Sequence, residues 1–284
     1  MLKQRILTAL VLLAILLPAL FYPSPVPFTA VILVLMAAAA WEWGRLNACG
    51  PVGSVLVGAA CLALCAASWA LGWVQRPLGA LWLAGGACWV LGSAWLLRAG
   101  VPGWPRVPAA LRLVAGIAAL WLAWLAVVQA RALGVNFLLS VMCLVWMADI
   151  AAYFAGRKFG LRFTRAKLAP SISPGKSWEG VWGGVAGVLL LALAWVLADV
   201  HFQADQPSFY TVVARQGWWL LLAVALFMTA MSVAGDLVES LIKRSAGVKD
   251  SSQLLPGHGG VLDRVDALLP TLPLALMITT LLFP

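Results

Sequence analysis

Charge is what this chain has least of. Asp, Glu, Lys and Arg make up 10% of its 284 residues, whereas 63% are hydrophobic. A soluble globular chain carries roughly 25% charged residues, so most of this surface does not face water and an ordinary soluble domain is excluded. Cysteine is scarce as well. Cys49, Cys61, Cys65, Cys88 and Cys143 lie in or beside apolar runs, without metal-ligand spacing or a disulfide framework, and read as small apolar residues. There are only two histidines and ten acids, and up to residue 135 the single acid is Glu42.

What is present in quantity is long apolar sequence. About 20 apolar residues cross the hydrocarbon core as a helix. Nine stretches qualify: Ile6–Tyr22, Pro27–Glu42, Val52–Trp73, Leu78–Leu97, Leu113–Ala130, Phe137–Phe154, Val181–Ala198, Trp218–Ala234 and Ala267–Phe283. The expected fold is therefore all-α, a polytopic integral membrane protein with about nine transmembrane helices. Lys3 and Arg5 give the first stretch a signal-like start, but Phe21-Tyr22-Pro23 is no small-residue cleavage site, so it reads as an uncleaved span. Glu42, at the end of the short second span, is expected near the interface.

Basic residues test that count. With the amino terminus in the cytoplasm, 16 of the 19 Lys and Arg fall inside, and only Arg76, Arg131 and Arg215 fall outside. That bias follows the positive-inside rule, and one span more or fewer would scramble it. The formal charge of +9 is thereby explained by topology and an anionic membrane face or substrate, with no nucleic acid as partner.

The chain divides into residues 1–135, whose helices serve packing, lipid or dimer contacts, and residues 136–284, which carry the chemistry. Nine of the ten acids and both histidines lie from Asp149 onward. Seven of those acids cluster in two inside stretches, Asp149–Glu179 and Asp236–Asp266. Convergence of the two would build an active site on the cytoplasmic face.

Asp236 ends one apolar span and Asp266 begins the next, and an acid at membrane depth is a functional candidate. Asp263 and Asp266 are three apart, so on a helix they face the same way, with Asp236 approaching from the neighbouring antiparallel helix. Such carboxylates suit a hard divalent cation such as magnesium, completed by phosphate oxygens and water. The alternative is that they pair with Lys243, Arg244 and Arg264 at an ordinary membrane boundary. Pro256-Gly257-His258-Gly259-Gly260 can form a tight turn whose amides approach a phosphate, and His258 either donates to that phosphate or orders the loop. Lys243, Arg244 and Lys249 are phosphate clamps or inside-positive anchors.

The second stretch opens with Asp149, Tyr153 and Gly156-Arg157, and continues after a basic linker with Ser173-Pro174-Gly175-Lys176-Ser177-Trp178-Glu179-Gly180. Ser173, Lys176 and Ser177 look like a phosphate loop. A soluble P-loop is excluded, because Pro170 stands where its upstream glycine belongs. Glu179, at the start of a span, is placed to accept from backbone amides.

These residues resemble the phosphatidate cytidylyltransferase (CDP-diacylglycerol synthase) family. The likeness is strongest from Ser240 to Asp266, through Lys243-Arg244, Lys249-Asp250, Pro256–Gly260 and Asp263-Arg264-x-Asp266. It extends upstream to Asp149, Tyr153, Gly156-Arg157 and Ser173–Gly180, whereas the linker Leu161–Ala166 departs from the family pattern. The resemblance implies a magnesium-dependent reaction of CTP with phosphatidic acid to give CDP-diacylglycerol and pyrophosphate, in a homodimer, while the inside-positive topology suits a bacterial inner membrane, with an organellar membrane as the alternative. It implies Asp236, Asp263 and Asp266 as metal ligands, joined by Lys249 and His258 as catalytic residues. Substrate would be bound by Asp149, Ser173, Lys176, Ser177, Lys243, Arg244, Gly259, Gly260 and Arg264. A related transferase acting on another lipid, and a transporter using its acids for ion coupling, are the competing readings. Transporter charges tend toward the midplane, whereas these gather at one face.

Overall fold

The computed structural model describes residues 2–283; Met1, Pro284 and the side chains of Leu2 and Lys3 lie outside the described residues. Helices dominate: α1 (Leu2–Phe21), α2 (Val26–Leu46), α3 (Gly50–Ala70), α4 (Gly79–Ala99), α5 (Ala109–Leu133) and α6 (Val135–Phe159) precede a two-stranded antiparallel hairpin, β1 (Lys167–Ala169) and β2 (Ser173–Ser177). After it come α7 (Trp178–His201), the short α8 (Phe209–Ala214), α9 (Trp218–Ser245), α10 (Leu262–Val265) and α11 (Leu268–Leu282). Among the described residues nine helical segments are long and apolar enough to cross a membrane, the last running from Leu262 to Leu282 across α10 and α11. All nine expected spans are present, most of them extended by a turn or more. The hairpin and α8 are additions.

Contacts at both ends fix the up-and-down alternation. Arg131, near the end of α5, donates to the carbonyls of Leu20 and Tyr22, and Gln129 donates to those of Trp73 and Arg76. At the other end Trp43 of α2 donates to the Arg112 carbonyl of α5, and Thr8 of α1 donates to the Pro256 carbonyl. Hence Arg76 and Arg131 share one end of the bundle, here the opposite end, while Lys243, Arg244 and Arg264 share the other, the basic end.

Small residues let the helices that carry the acids approach closely. On α7, Gly180, Gly183, Gly184 and Gly187 face Ala148, Ala151, Ala152 and Ala155 of α6. A Cβ on Gly183 would sit 2.1 Å from that of Ala155, and one on Gly184 3.0 Å from the Ala148 carbonyl. Close backbone approach through small residues is the usual way in which membrane helices associate. The packing brings Asp149 of α6 beside the strand β2 that leads into α7. α11 packs against α4, α5 and α9, so the carboxyl-terminal half meets the amino-terminal half along helix faces.

The last span is interrupted at the point where its acids lie. α10 stops at Val265, a turn covers Asp266 and Ala267, and α11 begins at Leu268. Pro270 supplies the cause: it has no amide hydrogen for the Asp266 carbonyl four residues back, and its ring crowds that oxygen. Gly235 of α9 accommodates the break, because a Cβ there would meet the Asp266 carbonyl at 2.8 Å and the Pro270 ring at the same distance. The hydrogen-bond ladder is interrupted here, but the backbone stays right-handed helical at Asp266 and Ala267, so Asp263 and Asp266 still turn toward the same side, that of Lys243.

Candidate active site

At 1.5 Å per residue, Asp236 stands about 27 Å along α9 from Trp218. That is close to the far boundary of a hydrocarbon core about 30 Å thick. The remaining turns of α9 carry Glu239, Ser240, Lys243 and Arg244 beyond it, and one face of that extension meets the loop 246–261 and α10. The expected convergence of the two acidic stretches is present: Lys176 of β2 forms an ion pair of 2.5 Å with Asp236 of α9, whose other oxygen accepts from Ser240. Asp149 of α6 lies within electrostatic reach of Asp236, Lys176 and Arg264, and Asp266 within reach of Asp236, Asp149 and Lys243.

Lys243 bridges Glu239 at 2.5 Å and Asp263 at 2.6 Å. Its side chain is only 11% exposed, so here it is the internal counter-ion of two carboxylates rather than an open phosphate clamp. Glu239 and Asp263, held by the same lysine, also stand within hydrogen-bond reach of one another. Asp263 is fully engaged: Oδ1 accepts from Lys243, while Oδ2 accepts from the Ser251 amide and hydroxyl, each at 2.9 Å, and from the Gly260 amide at 2.7 Å. Asp149, Asp236, Glu239, Asp263 and Asp266 thus set five carboxylates against the three cations Lys176, Lys243 and Arg264. Carboxyl groups gathered in this number at a membrane boundary mark a functional candidate.

The Pro256–Gly260 segment is the tight turn expected. Leu255 and Gly259 pair across it, the Leu255 carbonyl accepts from the His258 amide at 2.8 Å, and Gly257 and Gly259 hold φ of 77° and 83°, which glycine adopts without penalty. Its glycines make room for carboxylates, however. A Cβ on Gly259 would meet Asp263 Oδ2 at 2.7 Å, and one on Gly260 would meet Glu42 Oε1 at 2.4 Å. The Gly260 amide, expected to meet a phosphate, is given to Asp263. His258 Nδ1 is buried without a partner among the described residues. Over the turn lies the start of α1, with Arg5 against Gly257.

The remaining candidates divide. Ser177 caps α7 by accepting from the Gly180 amide, a use of its lone pair that leaves the hydroxyl proton to donate. Ser173 is half-buried on β2. Arg244 donates to the carbonyls of Ile172 and Val248, tying the hairpin to the end of α9. Lys249 and Arg264 are exposed. Glu179 behaves as expected, though its amides come from the linker: Oε1 accepts from the amides of Phe163 and Thr164 and from the Thr164 hydroxyl. That anchors the atypical segment Leu161–Ala166, and Lys167 beyond it bonds the Pro174 carbonyl across the hairpin.

Three site residues went unassigned in the sequence. Glu42, expected near the interface, is wholly buried and bonds the loop 251–262. Ser251 links it to Asp263. Glu239 holds Lys243. The signal for Glu42 was its place as a lone acid at the end of an apolar span, the rule that singled out Asp236; for Glu239 it was the i, i+4 spacing to Lys243.

A helical bundle with paired acids and bases at one membrane boundary, more carboxyl groups than bases among them, and a glycine turn defines the class: an integral membrane protein with a polar site suited to phosphate-bearing substrates. The model of the cytidylyltransferase family matches residues 3–282, and the chain belongs to that family. It is 40% identical over 282 residues to a phosphatidate cytidylyltransferase of Pseudomonas aeruginosa, covering 96% of this chain and 95% of that protein. It is 38% identical over 276 residues to one of Brucella suis, covering 94% and 89%. Over 140 residues, 49% of this chain and 44% of the relative, it is 49% identical to one of Haemophilus influenzae.

Proposed function

We propose that the protein transfers the cytidylyl group of CTP to the phosphate of phosphatidic acid, making CDP-diacylglycerol and pyrophosphate. The observation that carries this reading is the near-complete alignment with a phosphatidate cytidylyltransferase, on a chain whose charged residues converge at one membrane boundary. A phosphatidate oxygen attacks the α-phosphorus of CTP, the bond from that phosphorus to the β-phosphate bridge breaks, and pyrophosphate leaves. The attacking group is already an oxyanion, so no strong general base is needed, and catalysis is positioning and charge neutralisation.

Lys176, half-buried on β2, neutralises triphosphate charge once it exchanges Asp236 for substrate. Arg244, Lys249 and Arg264 supply positive charge at the mouth, and the unpartnered Nδ1 of His258 is available to a phosphate oxygen. Lys243 holds Glu239 and Asp263 in place. Among the described residues no three acidic, imidazole or thiol side chains are drawn together tightly enough to cage an ion alone. Magnesium does not require that, since it is commonly held by one or two carboxylates with substrate phosphates. Hard oxygen donors fit it, with Asp236 and Asp266 as ligands and Asp263 beside them. When bound, it neutralises triphosphate oxygens and stabilises the leaving pyrophosphate.

The basic end belongs in the cytoplasm of a bacterial inner membrane, where the basic loops obey the positive-inside rule, and the lipid-facing helices leave surface for a homodimer. The test is pyrophosphate release by purified protein in mixed micelles. Release that needs CTP, phosphatidic acid and magnesium together, with CDP-diacylglycerol as the lipid product, is expected. Folded protein that releases none with phosphatidic acid but does so with another lipid phosphate would replace the acceptor.

A further inference from the structure

We propose that Glu42, in the half of the chain otherwise without acids, is a positioning residue that fixes Asp263 and the start of α10 for catalysis. Glu42 has no exposed surface and no cation within ion-pair distance among the described residues. Four neutral donors surround it. Oε1 accepts from the Ser252 hydroxyl and the Val261 amide at 2.9 Å, and Oε2 accepts from the Leu262 amide at 2.7 Å and the Ser251 hydroxyl at 3.1 Å. The two arms of the loop, 251–252 and 261–262, are thus clasped by one carboxylate from α2.

Val261 and Leu262 stand at the start of α10, where amides lack partners within the helix. α10 has no capping side chain of its own, and Glu42 supplies the acceptor from another helix. Asp263 is the next residue. The Ser251 hydroxyl lies 2.9 Å from Asp263 Oδ2 and 3.1 Å from Glu42 Oε2, and its single proton is shared between them. Any displacement of Glu42 therefore reaches Asp263 along two routes, the shared serine and the α10 backbone. Gly260 completes the fit, since any side chain there would occupy the space of the Glu42 carboxylate and the Ser251 hydroxyl.

Groups behind a first layer of functional residues typically change activity by about 10–100-fold when removed. This inference rests on the cytidylyl-transfer reading, so wild-type turnover is measured first; if the wild type makes no CDP-diacylglycerol, that reading fails before Glu42 is tested. Glu42→Gln keeps the shape but turns a donor toward donors. Per folded molecule, judged by monodispersity and thermal midpoint in detergent, its kcat is expected to fall at least about tenfold while KM for CTP changes by less than about threefold. Ser251→Ala is expected to lower kcat in parallel, and the double variant to lose no more than the worse single one, because coupled sites are not additive. The control is Asp199→Asn, a buried acid at the opposite end of the bundle, which should lower the thermal midpoint and leave kcat per folded molecule unchanged.

A folded Glu42→Gln with kcat within twofold of wild type, or losses that multiply in the double variant, overturns the proposal. If Glu42→Gln does not fold, Ser251→Ala decides: a kcat loss of about tenfold sustains the proposal and an unchanged kcat ends it.

Discussion

Acids are buried at both ends of the bundle, and the two ends hold them differently. At the opposite end Asp199 accepts from Asn136, from the Ser208 amide and from the Thr211 hydroxyl, all neutral donors. The same network orders the loop that leads into α8, and Trp195 donates to the Asn136 side-chain oxygen. Both oxygens of Asp199 have partners. At the basic end five carboxylates share three cations, one lysine serves two acids, and a histidine nitrogen has no partner. An acid whose lone pairs are all met by neutral donors maintains shape, whereas acids that outnumber their donors at a membrane boundary are arranged for something that arrives. Glu42 belongs by partner to the first kind and by location to the second, as a support behind a site.

The sharpest way to break this contrast is to neutralise an acid from the surplus. Asp266→Asn is expected to lower turnover by at least about 1,000-fold, the scale of losing a principal electrostatic contact, with the fold retained in detergent. Asp263→Asn should match it in turnover and also lower the thermal midpoint, since Asp263 anchors Ser251 and Gly260. Near-normal CDP-diacylglycerol formation by either variant would remove these acids from the metal site. Next comes Lys176→Met, expected to lower kcat/KM for CTP by about 100-fold; an unchanged value would make the Lys176–Asp236 pair a boundary ion pair.

A smaller effect, on stability as well as rate, is expected of Gly260→Ala. Its Cβ overlaps the Glu42 carboxylate, and overpacking of this kind costs about 1–3 kcal/mol, readable as a lowered thermal midpoint. A variant as stable as wild type with weakened CTP binding would instead restore Gly260 to direct phosphate contact. The least effect on chemistry belongs to Asp199→Asn, which leaves buried donors unmet at about 1–3 kcal/mol while activity per folded molecule stays at the wild-type level.

The spans were legible because the bilayer imposes a length and a polarity that no other environment does, and the alternation of basic loops confirms their number independently. Asp236, Lys176 and the glycine turn were legible because they stand in dense local patterns. Other features depend on partners remote in sequence. Ser177 looked like a phosphate ligand because a hydroxyl at the start of a helix is chemically the same residue whether it caps or binds. Lys243 stood open between phosphate clamp and partner of the acids, because the sequence did not reveal that Glu239 and Asp263 close on it from both sides. The kink at Asp266 was written in Pro270, whose effect falls on the residue four places earlier. Glu42 was visible as a lone acid, but its donors lie 209 to 220 residues away.

That separation sets an order of events during synthesis. α2 leaves the ribosome long before the loop at 251–262 exists, so Glu42 must wait at the membrane boundary among water and headgroups while six further spans are made. Its burial becomes favourable only when the last loop arrives with two hydroxyls and two amides. Completion of the last loop is thus what first gives Glu42 its four donors, and a chain halted before residue 262 would be a membrane protein with that carboxylate unmet and no assembled site.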